Sequence, residues 1–446
     1  MPVDPFATLT ELSAALARGS TSAMELADLY LQRIRRANPK INAYVHVDEE
    51  LTRRHARAAD ERRASGVTLG RLDGLPIALK DLLEIEGCPT GVGSALWKER
   101  RSTTTATVVR NLLAAGMVPL GKTQMVEFAF GTWGANSHLG TPWNPWDLDT
   151  HRVPGGSSSG SAVAVAAGLA PAAIGSDTGG SVRIPAALNG ITGLKTSGGL
   201  ISTAGAFPLS QTLDTIGPMT RSAEDAARLC AAMLGPESDA DRQFASCAAA
   251  DSPVLASMRI TVLSPDQYPI AVERDVATAV DDAQRVLREL GAAVVERRFP
   301  LVFDDLMRRN GQLTAAEAYA VHRAYIEDER LPIGAAVRRR VLGGKAINAA
   351  DYIDALLTPT VPMPACPVDA VDESVTPLAS FTRAGNYLDA CALSLPAGFS
   401  SGGLPVGVQL LARARTDATL LRAGMAFQQV TEWHRCVPPL APMHGA

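Results

Sequence analysis

Cysteine is scarce and scattered. The six cysteines, Cys88, Cys230, Cys247, Cys366, Cys391 and Cys436, form no C-x-x-C pair, which excludes a disulfide-stapled secreted scaffold and a zinc knuckle. The seven histidines do not cluster either, so no metal site is expected. Neither sign of charge prevails. Forty-two basic residues stand against 46 acidic ones, so the basic footprint of a nucleic-acid or anionic-membrane binder is missing. No apolar run reaches membrane-spanning length, and Met1 to Leu16 lacks the basic segment and apolar stretch of a secretory leader. These absences predict a cytoplasmic protein with no nucleic-acid or membrane partner. Repeats and linkers are missing too. Length alone suggests about three domains, but with nothing to divide them the expectation is one large domain.

What the chain does have is glycine and serine, concentrated in one stretch. Val153 to Thr196 carries two clusters, Gly155 to Ser161 and Gly179 to Ser181, around a short apolar segment. Glycine lets a backbone turn sharply or approach another group closely. Serine becomes a nucleophile when a base is near. Such composition also suits a flexible linker. These clusters are short, however, and the second leads straight into Val182, Ile184 and Pro185, which read as packed structure. Two loops presenting serines into one cleft is the arrangement expected.

Along the rest of the chain, helices are expected at Thr8 to Arg18 and Ser22 to Ala37. Ser22 and Glu25 have capping-box spacing, and Asn38-Pro39 is expected to stop the second helix. Ile41 to Val47 reads as a strand and Glu49 to Ser65 as a charged helix. Leu75 to Asp81, L-P-I-A-L-K-D, is a short apolar run ending in Lys80. That lysine is either solvated at a strand end or drawn neutral into a cleft. Gly116 to Thr123 matches G-x-x-x-x-G-K-[ST], the phosphate-loop pattern. A helix precedes it rather than a strand, and Pro119 removes an N–H from the supposed cradle, so it reads as a chance match. Glu127 to Trp146 holds Trp133, Trp143 and Trp146, and either lines a pocket or packs as a satellite core. Pro208 to Arg221 reads as an ordered loop, and Pro236 to Asp251 as a mobile polar one. Arg259 to Glu296 has the pattern of a β-α-β unit. Strands follow at Ala355 to Pro359, Ser394 to Gly398 and Gly407 to Leu411, then a helix from Ala418 to Glu432.

A serine nucleophile needs a base within hydrogen-bond reach. His151 is one candidate, and a lysine acting through a second serine is another. Three motifs favour the lysine. They are G-L-P-I-A-L-K-D with Lys80, P-G-G-S-S-S-G-S with Ser157, and G-S-D-T-G-G-S-V-R-I-P-A with Ser181, the last two serines 24 positions apart. In this order and spacing the chain resembles the amidase signature family. The resemblance extends through G-K-T-Q-M-V-E-F, L-L-T-P-T-V-P-M-P-A and S-L-P-A-G-F-S-S-G-G-L-P-V-G-V-Q-L-L.

The resemblance implies an α/β fold, a single large domain with a central mixed twisted sheet covered by helices on both faces. Within residues 1–446 it divides into an N-terminal helical region (1–65), a catalytic core (66–235), a β-α-β and helical insertion (252–350) and a C-terminal part returning to the sheet (355–440). It further implies a cofactor-independent hydrolase of C–N bonds in a small amide, urea-type or carbamate substrate. Ser181 would be the nucleophile, Ser157 the proton relay following a cis peptide bond, and Lys80 the base. The N–H groups of Thr178, Gly179, Gly180 and Ser181 would form the oxyanion hole. Ser158, Asp177 and Arg183 are supporting residues, the last two either shaping the loop or making an ordinary salt bridge. A homodimer is left open. Two alternatives stand: the A subunit of a tRNA-dependent amidotransferase, with glutaminase activity, and a nucleotide-binding protein using Gly116–Thr123. The chain departs from the family at Ser159 and Thr196, where glycine and proline are commoner, and by an apparent deletion between Ala349 and Thr358.

Overall fold

The computed structural model describes residues 3–235, 244, 255, 258–299, 301–346, 358–373, 375 and 377–439. The polar stretch after residue 235, apart from Phe244, and the apparent deletion before Thr358 lie outside them. Among the described residues the eleven strands are β1 (Tyr44–His46), β2 (Pro76–Lys80), β3 (Val118–Thr123), β4 (Ala172–Asp177), β5 (Thr192–Lys195), β6 (Thr215–Thr220), β7 (Arg259–Leu263), β8 (Ala293–Arg297), β9 (Thr358–Pro359), β10 (Cys391–Phe399) and β11 (Pro405–Ala412). Nine of them form one sheet in the order β1-β3-β2-β4-β6-β5-β10-β11-β9. β3, β2 and β4 run parallel, and the remaining pairs are antiparallel. The mixed α/β architecture is therefore as expected. Strands from the N-terminal and C-terminal parts of the described chain share one sheet.

Burial explains the composition of the central elements. β2, β4, β5 and β6 are buried at every position. So is the Ser159–Ala166 helix, S-G-S-A-V-A-V-A, whose small side chains leave it no polar face. Such a helix sits inside the fold rather than on it. Gly160 shows how tightly: a Cβ there would stand 2.2 Å from the Ala43 carbonyl oxygen and 2.5 Å from the Gln124 nitrogen. Outer helices keep the amphipathic pattern. Ala23–Ile41 buries Leu26, Tyr30 and Ile34 along one stripe, with the Ser22–Glu25 capping box formed. No described helix is long and apolar enough to cross a membrane.

Several local expectations are corrected. Pro39 does not stop its helix, which runs on to Ile41 and ends at Asn42 in the left-handed conformation. Arg259–Leu263, the helix Arg274–Glu289 and Ala293–Arg297 do form a parallel β-α-β unit, but β7 and β8 make a separate two-stranded sheet. Thr215–Thr220, expected within a loop, is a fully buried strand paired with β4 and β5. Of the strand expected at Ala355 to Pro359, only Thr358–Pro359 falls among the described residues.

Gly116 to Thr123 is not a phosphate loop. Gly116 follows the Thr107–Ala114 helix, and Val118–Thr123 lies inside the sheet. Lys122 is buried, 2.8 Å from Thr90 Oγ1 and 3.4 Å from Asp81. Its charge is used inside the protein.

Candidate active site

Lys80 is the last residue of β2, and Asp177 is the last of β4. The two strands are parallel neighbours, with Leu79 opposite Ile174, so Lys80 and Ser176 emerge together at the carboxyl end of the sheet. Open α/β sheets place ligands at that end.

The Ser157 loop arrives there by a different route. Gly155 and Gly156 N–H groups donate to the Trp133 and Thr132 carbonyls, and Val126 N–H donates to the Ser157 carbonyl. The Gly156–Ser157 peptide is cis, as the resemblance implied. The tryptophan-rich segment therefore serves as a backing wall. Trp133 joins a buried cluster with Val153 and Leu188. Trp146 donates to the Asn189 carbonyl at 2.8 Å. Trp143 stacks on His151 at a centroid distance of 4.2 Å, with Lys40 over the tryptophan ring. His151 is thereby tied to a ring stack, and its Nε2 is buried without a partner. Among the described residues no hydrogen bond joins His151 to a serine, whereas Lys80 has two.

Lys80 is fully buried. Its Nζ lies 2.7 Å from Ser157 Oγ and 2.8 Å from Ser176 Oγ. Burial lowers its pKa to about 7, opposed by the charges of Asp214 and Asp177. An amine with that pKa is substantially neutral at neutral pH and can accept a proton. Of the two alternatives for Lys80, the solvated strand end is not what is seen: the side chain is buried against two serine hydroxyls.

Ser181 is brought to the same place by backbone contacts. Ser158 N–H donates to the Ser181 carbonyl at 3.2 Å, and Ser158 Oγ exchanges hydrogen bonds with the Ser176 backbone. The loop from Thr178 to Ser181 is held on its inner side by one buried carboxylate. Asp177 accepts from Gly180 N–H (2.8 Å), Val182 N–H (3.2 Å), Arg183 Nε and Nη2 (3.0 Å each) and Asn386 Nδ2 (2.8 Å). Burial would raise its pKa, but the Arg183 charge and these bonds outweigh burial and hold the carboxyl well below its ordinary range. Asp177 and Arg183 thus shape the loop through a buried ion pair.

This geometry corrects one expectation. The Gly180 N–H is already given to Asp177, so it is not an oxyanion donor. Among the described residues no acceptor claims the N–H of Thr178, Gly179 or Ser181. Gly180 itself is required: its φ is +123°, and a Cβ there would stand 2.2 Å from Thr382 Oγ1.

The structure adds residues that sequence reasoning missed. Ser176 shares Lys80 with Ser157. Asp214 accepts from Thr178 Oγ1, Leu209 N–H and Ser210 N–H, and burial pushes its pKa up to about 6. Asn386 reaches Asp177 from 209 positions away. For Asp214 a signal existed in L-D-T-I-G-P, an acid set among apolar residues and turn formers.

One stability prediction follows directly. Asp177→Asn leaves Arg183 buried without its counter-charge, and removing one partner of a buried pair costs about 3–5 kcal/mol. Urea unfolding of the variant is expected to show that loss. A change below about 1 kcal/mol would mean the pair does not hold the loop.

The chain is similar to known proteins along most of its length. The sequence model described as Amidase matches residues 25–344 and 302–421. The A subunit of glutamyl-tRNA(Gln) amidotransferase from Cupriavidus taiwanensis is 37% identical, covering 97% of this chain and 98% of that protein. A crystal structure of an amidase superposes with a TM-score of 0.83 at 30% identity, covering 95% of this chain and 99% of that one. The peptide amidase of Stenotrophomonas maltophilia superposes with a TM-score of 0.81 at 29% identity, covering 97% and 98%. Matched in sequence along most of its length and in fold from end to end, the chain belongs to the amidase signature family and is a hydrolase of carbon–nitrogen bonds other than peptide bonds.

Proposed function

We propose that the chain cleaves an amide C–N bond through an acyl-enzyme on Ser181. Ser181 Oγ attacks the carbonyl carbon while its proton passes to Ser157 Oγ, and the Ser157 proton passes to neutral Lys80 Nζ. The carbonyl oxygen takes the negative charge, facing the N–H groups of Thr178, Gly179 and Ser181. Each such donor supplies roughly 3–4 kcal/mol in the transition state. Collapse breaks the C–N bond, and the proton returns along the same path to the leaving nitrogen. Water then repeats the sequence on the ester and frees Ser181. The observation that supports this most is Lys80, fully buried against Ser157 and Ser176.

Two readings of the amide remain within this chemistry. One is a free-standing amidase for a small amide, urea-type or carbamate substrate. The other is the A subunit of a tRNA-dependent amidotransferase, for which glutamine supplies the amide and partner subunits complete the reaction. Identity supports the second more strongly, at 37% to an amidotransferase A subunit against 30% and 29% to the two solved amidases.

The test is ammonia release by the purified chain from glutamine, simple primary amides, ureas and carbamates, together with fluorophosphonate labelling located by mass spectrometry. Labelling is expected at Ser181. Weak turnover restricted to glutamine supports the amidotransferase reading, and vigorous turnover of other amides supports the free amidase. A label elsewhere, with Ser181 untouched, overturns the acyl-enzyme in both.

A further inference from the structure

The cleft at Ser181 is lined on one side by Arg340 and Arg383, beside Thr178, Gly179 and Asn310. The two arginines differ in what they hold. Arg340 donates to the Phe130 carbonyl at 2.8 Å and to the Glu373 carbonyl and carboxylate at 3.0 Å, so its charge is matched and its donors are used. Among the described residues no carboxylate pairs with Arg383, and no acceptor takes a hydrogen bond from its guanidinium. Burial lowers the Arg383 pKa to about 10, and the charge of Arg340 adds to that effect. It stays protonated at neutral pH. Arg383 is only partly buried, and its side chain lines the cleft at Ser181, where an anion entering the cleft meets it.

The position of Arg383 is built rather than accidental. Its stem crosses Gly179, where a Cβ would stand 3.3 Å from Arg383 Cγ. Its Nη1 lies over Gly311, where a Cβ would stand 3.1 Å away. Arg383 opens the short helix Arg383–Tyr387. That helix is fastened to the Ser181 loop at both ends, by Thr382 Oγ1 donating to the Gly179 carbonyl at 2.7 Å and by Asn386 Nδ2 donating to Asp177. The guanidinium is thus locked beside the loop that carries the nucleophile.

We propose that Arg383 is a specificity-determining residue that binds a carboxylate on the substrate, so that the preferred substrates are amides carrying a free carboxylate. This rests on the proposed hydrolysis at Ser181. A guanidinium offers a planar fork to a carboxylate. A carboxylate bound there brings the negative charge the cleft lacks and points the amide end toward Ser181. Amide substrates without a charge leave the guanidinium unpaired.

The experiment compares amides that differ only by carboxylate for methyl: succinamate against butyramide, and glutaramate against valeramide. It uses the full chain, R383Q and R383K. In the wild type kcat/KM is expected to favour the carboxylate member of each pair. R383Q should lower that preference by about 100-fold, mainly through KM, with partial recovery in R383K. A second readout does not need turnover. Glutarate should slow fluorophosphonate labelling of Ser181 in the wild type and should do so far less in R383Q. If the preference and the protection are the same in R383Q as in the wild type, with Ser181 still labelled, the assignment of Arg383 is overturned and the Ser181 reading stands. If the wild type shows neither carboxylate preference nor protection, the assignment is overturned as well. If Ser181 is never labelled and no amide is cut, it is the hydrolytic reading that fails.

Discussion

Ser181→Ala is expected to lower kcat by about 10⁴-fold or more on the best amide substrate while leaving the fold in place. Removing a serine nucleophile leaves only binding and oxyanion stabilisation, which is why losses of that size are seen when such a residue is deleted. Stability should hardly change. The contacts that fix this loop run through the Ser181 carbonyl, the Gly180 N–H and the Asp177 carboxylate, none of which the substitution removes. A single hydroxyl contributes roughly 1 kcal/mol at most where it makes an ordinary hydrogen bond. Ammonia release and urea unfolding measured on the same preparation separate the two effects. If the variant keeps activity within tenfold of the wild type, the nucleophile lies elsewhere. If activity and stability fall together, the loss says nothing about chemistry, and labelling of the wild-type serine becomes the deciding measurement.

The second large effect belongs to Lys80. Lys80→Met fills the same space with an apolar chain and removes the proton acceptor. General-base catalysis contributes about 10²–10⁴-fold, so kcat is expected to fall by on the order of 10³-fold. Lys80→Arg should be as inactive, because a guanidinium stays protonated throughout the working range. The wild type carries a matching pH signature. Lys80 works in its neutral form, and its pKa is lowered to about 7. The active fraction therefore rises with pH. In the pH–rate profile kcat/KM should climb about tenfold per unit below that value and level off above it. Asp214 is the larger of the two charges that favour the ammonium, ahead of Asp177. Asp214→Asn should accordingly move the ascending limb to lower pH. A profile flat from pH 5 to 9, or a limb that shifts upward in Asp214→Asn, would remove Lys80 from the proposed role.

Lys80 also faces two hydroxyls, and their surroundings distinguish them. Ser157 follows the cis peptide and neighbours Ser158, whose N–H is bonded to the Ser181 carbonyl. Ser176 lies on β4 and borders a second cavity with Asp214 and Phe207. Ser157 is therefore the hydroxyl beside the Ser181 loop, the relay of the proposed mechanism. Ser176 holds the amine from the other side and limits the directions in which Nζ can turn.

The separation between what was legible in the chain and what was not follows physical range. Helix starts depend on a few adjacent residues, so the Ser22–Glu25 cap could be read directly. The three motifs around Lys80, Ser157 and Ser181 could be read for a similar reason: each is a tight local turn or strand end whose glycines and serines have few substitutes. Apolar runs located β2 and β10 but did not show that β6 would enter the sheet, because Thr215–Thr220 earns its place only by pairing with strands on either side. The same limit explains the β-α-β unit. Its pattern was visible, but pattern does not say which sheet a strand joins.

By itself, then, the amino-acid order determined the family, the mixed α/β class and the three side chains on which the proposed chemistry turns. Tertiary structure alone decided their electrostatics and the shape of the cleft. Lys80 is an ordinary lysine until the folded chain buries it against the hydroxyls of Ser157 and Ser176. Gly180 looks like an oxyanion donor until Asp177 takes its N–H. Arg383 is one arginine among many until a helix anchored across more than 200 residues of chain sets it beside Ser181. Burial, charge pairing and recognition depend on groups distant in sequence, and only the folded chain brings those groups within a few ångströms.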